Sequence, residues 1–267
     1  MSSFHVTLLG SGSAGNCALI EAGSTRLLVD AGLNAKQIGL RLESIRVNPA
    51  ELDGIILTHE HSDHVSGLRV FCKRYALPVY ATPLTLERLG QEHLKEHRNV
   101  RRFNGGDEFG IGELDVQAFR VTHDAVDPVG FVFQHAGERL GFLTDLGHCS
   151  HLVKERVRGV QTLVIETNYD EKLLQNDTRR PWAIKQRIIS RHGHLSNKAA
   201  AEMVGELLEH GLKRALLGHL SRDCNTPELA VETVRKQVGE VGGESAAAGV
   251  EIYCASQAIV SPRFGIG

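Results

Sequence analysis

Short apolar runs punctuated by glycine and polar turns dominate the first third of the chain. His5–Leu9, Cys17–Glu21 and Arg26–Asp30 read as strands, the second after a glycine-rich turn and the third ending in Asp30-Ala-Gly32. Ala35–Ser44 carries Ile38 and Leu42 on one helical face. Asp53–Thr58 is a strand aimed at a polar run, followed by a helix over Val65–Tyr75, a strand over Pro78–Ala81 and a helix from about Leu84 to Leu94. The middle is strand-rich again, with Leu114–Val121, Val129–His135 and Leu140–Leu143. Thr162–Ile165 is a buried strand by its composition. Helices are expected over Trp182–Ser190, Asn197–His210 and Glu228–Gly239, with a strand at Arg214–Gly218. Ser196 suits the N-cap of the second of these helices and Gly211 its end. Gly242–Gly249 is the one loose stretch.

Strands first, then alternating strands and helices, twice over, predict an α/β fold: a four-layer αββα sandwich of two mixed β-sheets flanked by helices. No long repeat or low-complexity linker divides residues 1–267, so a single domain is expected. A chain of 267 residues, 42% hydrophobic and 23% charged, can bury a core without disulfide or metal staples. The formal net charge of −2 argues against a globally nucleic-acid-coating protein, so any such contact must be local. Five scattered cysteines without a Cys-x-x-Cys pair argue against a disulfide framework or a four-cysteine zinc site. The N-terminal residues lack a signal-peptide pattern and no stretch approaches a membrane span, so a cytoplasmic, membrane-free protein is expected.

Gly10-Ser-Gly12-Ser-Ala-Gly15 matches a dinucleotide-binding pattern, but a helix must follow to aim its amides at a pyrophosphate. Apolar β sequence follows instead. The turn is better read as a device that brings Ser13 and Asn16 close to a site. The decisive chemistry is His59-x-His61-x-Asp63-His64: four strong ligand types within six residues, directly after a buried strand. Imidazole and carboxylate suit zinc and neighbouring first-row ions. His123, Asp145 and His219 each end an apolar run, where strands would deliver them to the same edge. Together these seven residues form a ligand set sufficient for two ions.

The set resembles that of the metallo-β-lactamase superfamily, and the resemblance covers essentially the whole chain. It implies that His59, His61 and His123 bind one ion, that Asp63, His64 and His219 bind a second, and that Asp145 bridges them. It also implies that Asp30 supports a ligand. Gly193-His194-Leu-Ser-Asn197 and Gly218-His219-Leu-Ser-Arg222 resemble the phosphodiesterase branch that includes tRNA 3′-processing enzymes, in which His194 would act on the scissile phosphate. The finer motifs are Gly10–Cys17, Thr122–Ala125 with Asp127–Gly130, Glu166-Thr-Asn-Tyr-Asp170 and His219–Asn225. They are most similar to the bacterial YycJ (WalJ) family of small DNA exonucleases. Too few positions separate Asp145 from His219 for an inserted β-CASP domain.

Two divalent ions (zinc or manganese, with iron compatible) roughly 3.5–4 Å apart can hold a bridging hydroxide as nucleophile. Asp63 would orient its proton, Asp30 would fix a histidine tautomer, and His194 would stabilise the transition state or protonate the leaving 3′-oxygen. Five basic residues and the only tryptophan fall between Arg179 and Arg191. In one reading Lys185 and its basic neighbours follow phosphates while Trp182 stacks on a base; in the other this is an ordinary amphipathic helix with Trp182 packed inside. Ser221, Arg222 and Asn225 are candidates to grip a terminal phosphate. The residues leave the role of Glu166 open between catalysis and structure. The expectation is therefore a 5′-to-3′ DNA exonuclease, with DNA ahead of RNA as substrate. The alternatives are a thioester or lactone hydrolase on the same metals and, last, a metal-binding sensor.

Overall fold

The computed structural model describes residues 3–90, 93–94 and 97–267. The first half runs β1 (Phe4–Gly10), β2 (Cys17–Ala22), β3 (Thr25–Val29), α1 (Ala35–Ser44), β4 (Gly54–Ile56), α2 (Ser62–Val65), α3 (Leu68–Tyr75), β5 (Val79–Ala81), α4 (Pro83–Gly90) and β6 (Val100–Arg102). The second runs β7 (Glu108–Ile111), β8 (Leu114–Arg120), β9 (Val129–His135), β10 (Glu138–Leu143), α5 (His151–Val157), β11 (Thr162–Glu166), α6 (Glu171–Asn176), α7 (Trp182–Ile189), α8 (Asn197–Leu207), β12 (Arg214–Gly218), α9 (Pro227–Gly249) and β13 (Glu251–Cys254). β14 (Phe264–Gly265) then returns to pair with β1.

Two seven-stranded sheets result, ordered β14-β1-β2-β3-β4-β5-β6 and β13-β12-β11-β10-β9-β8-β7. Each begins with antiparallel hairpins and continues with parallel strands: β3 to β6 in one, β10 to β13 in the other. Phe4, Ile20, Phe131, Phe133 and Phe142 fill the space between the sheets. Alternation along the strands turns Leu19 and Leu28 outward, against Ile38, Leu42 and Phe71 of α1 and α3. On the other side Val132, Leu163 and Leu217 meet Val153, Met203 and Val234 of α5, α8 and α9. These clusters make the four layers, and truncating a wholly buried phenylalanine such as Phe131 should cost about 3–5 kcal/mol.

The sequence pattern and the structure differ at identifiable places. The helix expected over Val65–Tyr75 is interrupted: α2 ends at Val65 and α3 begins at Leu68, with the Gly67 N–H between them held by Ala31 O at a place where a Cβ would lie 2.1 Å from Leu33 O. α4 stops at Gly90, and residues 91–92 of the expected Leu84–Leu94 helix lie outside the described residues. α9 extends across the stretch expected to be loose, with a kink at Gly243 (φ 72°). Ser196 does cap α8, its side chain accepting from Ala199 N, and Gly211 ends the following turn in the left-handed region.

Candidate metal centre and active site

The parallel strands of both sheets deliver their C-terminal ends to one edge. Asp30 follows β3, His59 follows β4, Asp145 follows β10 and His219 follows β12, while Glu166 ends β11. Asp30, Asp145 and His219 all take left-handed backbone angles (φ 61°, 54° and 54°) immediately past their strands. Such angles are strained for non-glycine residues and concentrate where a site demands them.

These residues converge. Potential donor atoms of His59, His61 and His123 lie within 4.8 Å of one another, as do those of Asp63, His64 and His219, and those of His59, His64 and Asp145. Asp145 therefore stands beside both groups, with Oδ2 3.0 Å from His64 Nε2 and Oδ1 3.7 Å from His123 Nε2 and 3.4 Å from His219 Nε2.

Neighbours fix which nitrogen of each ring faces the centre. His64 Nδ1 sits 2.7 Å from Asp30 Oδ2 and His123 Nδ1 2.9 Å from the Gly193 carbonyl, so each donates there and turns its Nε2 toward the centre. His59 Nδ1 lies 3.0 Å from Thr58 Oγ1, whose hydroxyl donates to Asp30 Oδ2. Asp30 Oδ1 accepts from Thr58 N. His219 Nδ1 faces Glu166 Oε1 at 3.1 Å, leaving Nε2 toward Asp63 Oδ2 at the same distance.

Whether a divalent metal suits these residues can be judged from the atoms at the centre. His59 Nε2 is buried without a hydrogen-bond partner, an arrangement that costs free energy unless something else meets that lone pair. A cation does so, and imidazole with carboxylate is the donor set of first-row divalent ions. The residues fit a divalent metal centre.

The electrostatics agree with a site awaiting positive charge. Burial opposes ionisation of Asp63, but hydrogen bonds from His219 and His64 hold its carboxyl far below the usual range. Burial likewise opposes protonation of His219, yet the Asp145 charge and the hydrogen bonds to Asp63 and Glu166 push it up to about 10.

Glu166 was the residue the sequence left undecided. It is wholly buried, and Oε1 meets His194 Nδ1 at 2.5 Å as well as His219. Oε2 accepts from Leu146 N and Leu195 N. Burial lowers the His194 pKa, but the Glu166 charge and hydrogen bond outweigh it and raise it above the ordinary value. His194 also lies 3.7 Å from Asp145 Oδ1.

The expected substrate contacts separate into two groups. Ser13, Trp182 and Arg222 are exposed and Ser221 is half-buried. Asn16, Lys185 and Asn225 are buried and their side chains are turned to protein partners. Lys185 is the buried residue of α7 and its Nζ donates to Gln175 O. Asn225 is buried and its amide is engaged by Asn197, Thr226 N and Thr167 O. α7 also corrects both expectations for it: its lysine is inside, while Trp182 (63% exposed), Ile184 and Ile189 face solvent. Arg179 and Arg180 are bound to Asp177 and Asp223, and Arg187 to Asp124. Among the described residues Arg191 and Arg222 form no ion pair with a side chain. Sequence reasoning missed Thr58, whose signal was a polar residue closing an apolar strand just before the histidine run. It also missed Asp124, one residue past His123.

The layered sheets and the donor cluster at their common edge define a metal-centre scaffold, and the sequence profile of the Beta-lactamase superfamily domain matches residues 25–220. The exodeoxyribonuclease YycJ of Bacillus anthracis is 36% identical over 241 residues, 89% of this chain and 90% of that protein. The exodeoxyribonuclease WalJ of Streptococcus pneumoniae serotype 2 is 35% identical over 248 residues, 89% of each. The chain belongs to the metallo-β-lactamase superfamily, in the family of these YycJ and WalJ proteins. In three dimensions it resembles the metallo-β-lactamase fold protein YhfI from Bacillus subtilis (TM-score 0.73, 19% identity, 97% of this chain and 99% of that one). It also resembles the short form of human tRNase Z (TM-score 0.64, 18% identity, 96% and 98%). Among the described residues no helix is long and apolar enough to cross a membrane.

Proposed function

We propose that this chain is a metal-dependent phosphodiesterase that removes nucleotides from DNA in the 5′-to-3′ direction, acting as one domain over residues 1–267. The observation that carries the reading is His194: a histidine whose pKa is raised above the ordinary value by buried Glu166, 3.7 Å from Asp145 of the donor cluster. A phosphodiester's departing oxygen can take its proton from such a group. The family relatives named exodeoxyribonucleases, similar over nearly the whole chain, point to DNA as the polymer.

Two divalent ions, zinc or manganese, with iron compatible, would be held by His59, His61 and His123 and by Asp63, His64 and His219, with Asp145 between them. When bound they supply a nucleophile drawn from water at neutral pH and Lewis acidity toward phosphate oxygens. Asp63, whose side chain is 23% exposed, holds the proton of the attacking water away from the phosphorus. Asp30 and the Gly193 carbonyl keep His64 and His123 in the tautomers that direct Nε2 inward. As the phosphorus–O3′ bond breaks, His194 delivers its proton to O3′ and Glu166 steadies the ring. Trp182 offers a stacking face, and Arg191, Arg222, Ser221 and Ser13 offer contacts to the strand.

The near-neutral charge favours a second reading, a thioester or lactone hydrolase using the same centre. A gel time course on end-labelled duplex DNA, single-stranded DNA and RNA separates the two. It carries 5′-phosphate and 5′-hydroxyl ends, Zn²⁺ or Mn²⁺, and Asp63→Ala as control. Stepwise shortening from the 5′ end, absent in the variant, is the expected result. A metal-loaded protein that cuts no nucleic acid but opens thioesters or lactones would replace the nuclease reading.

A further inference from the structure

Ser13 apart, the glycine-rich turn between β1 and β2 has no part in the mechanism above, yet it touches the donor cluster at Asp63, His64 and His219. Asn16 is buried, and its amide orientation is fixed: Oδ1 accepts from Gly12 N at 2.9 Å, a group that can only donate, so Nδ2 must point the other way. That direction leads to the cluster. Nδ2 lies 3.3 Å from Asp63 Oδ2, 3.4 Å from Asp63 O and 3.2 Å from His64 Nε2. The Asn16 N–H also donates to Asp63 O at 2.8 Å.

Ser11 extends the connection. Its Oγ donates to Asn16 Oδ1 and accepts from His219 N at 2.8 Å. One short chain of hydrogen bonds thus runs from the residue after β12 to the loop after β4. The close approach explains two glycines. A Cβ at Gly32 would lie 1.6 Å from Asp63 O, and one at Gly218 would lie 2.7 Å from Ser11 Oγ. From the other side Gln257 clamps the turn, accepting from Ala14 N and donating to Gly15 O.

We propose that Asn16 is a positioning residue for Asp63: its amide donates to Oδ2 and fixes the carboxylate, while Ser11 couples this to His219 across the two sheets. The sequence reading placed Asn16 on the substrate; buried and fully engaged, it acts instead through Asp63. This inference rests on the metal-centre reading of the site and not on DNA being the substrate.

The test is Mn²⁺ titration of the full chain by calorimetry, beside steady-state kinetics on an end-labelled DNA. Asn16→Ala is expected to weaken Mn²⁺ binding about 10- to 100-fold and to lower kcat similarly, since removing a partner that orients a ligand has effects of that size. KM for DNA should be unchanged. Ser11→Ala, which keeps the Asn16 amide, should show a smaller loss in the same direction and serves if Asn16→Ala does not fold. Native Mn²⁺ affinity in a folded variant overturns the proposal, as does a loss confined to KM, which would put Asn16 on the substrate. Because the titration contains no DNA, weakened Mn²⁺ binding in a chain that cuts no nucleic acid would support the positioning role while removing the nuclease reading.

Discussion

Glu166 Oε1 lies 2.5 Å from His194 Nδ1, and the carboxylate is wholly buried. An anion with no access to water dominates the protonation of its partner. Replacing it by the nearly isosteric glutamine in Glu166→Gln removes the charge that raises the His194 pKa. If His194 must be protonated to act, activity is lost as pH rises through that pKa, so lowering it moves the alkaline limb to lower pH. The kcat–pH profile should show this shift together with a kcat about 10–100-fold lower. An unmoved limb with native kcat would reduce Glu166 to packing.

Asp30 offers a sharper test of tautomer control. Oδ1 accepts from Thr58 N, while Oδ2 accepts from Thr58 Oγ1 and His64 Nδ1. In Asp30→Asn the amide oxygen must stay on Thr58 N, which can only donate, and the NH₂ group is forced onto His64 Nδ1. That ring then carries its proton on Nε2, facing Asp63 and Asp145, where it cannot ligate. Mn²⁺ affinity and kcat are expected to fall about 10–100-fold or more. Calorimetry showing native affinity would mean that Asp30 does not set the His64 tautomer.

Most of the layer order, and the convergence of the seven donors, could be read from the sequence. Apolar strands ending in His or Asp at one edge leave few other arrangements. The missed elements had weak local signals. β14 is two residues long, β13 is half-buried, and α5 and α6 are helices of two turns or fewer marked only by caps at Ser150 and Asp170. The polar residues went least well, because side-chain partners distant in sequence decide their roles. Nothing local distinguishes Asn16, taken up by Asp63, from exposed Ser13. Nor does spacing reveal that α7 buries Lys185 and exposes Trp182.

Metal uptake should depend on pH in one direction. His219 is pushed up to about 10 in the metal-free site, and His64, despite burial, is raised by Asp145 and Asp30. Both are therefore protonated near neutrality and must lose protons to ligate. Each proton displaced strengthens apparent affinity by up to about tenfold per pH unit as pH rises toward those pKa values. Calorimetry in buffers of different ionisation enthalpy should record proton release on Mn²⁺ binding. Affinity that is flat between about pH 6 and about pH 8 would mean the rings are already neutral.

The outward face of α7 bears on how a strand reaches the centre. Trp182 is 63% exposed on the helix that leads into Gly193 and His194, so its removal should leave the core intact. Trp182→Ala is expected to change stability by no more than about 0.5 kcal/mol, as for a surface site. If a base stacks there, binding of single-stranded DNA should weaken by about 1–3 kcal/mol. Arg222→Gln acts differently: a lost phosphate contact reduces the slope of log affinity against log salt by about 1 and weakens all sequences alike. Measuring single-stranded DNA affinity by fluorescence anisotropy across a salt series separates the two effects. A Trp182→Ala protein that binds and cuts as the native one does would place the strand's path off α7, leaving Arg222 and Ser221 as its guides.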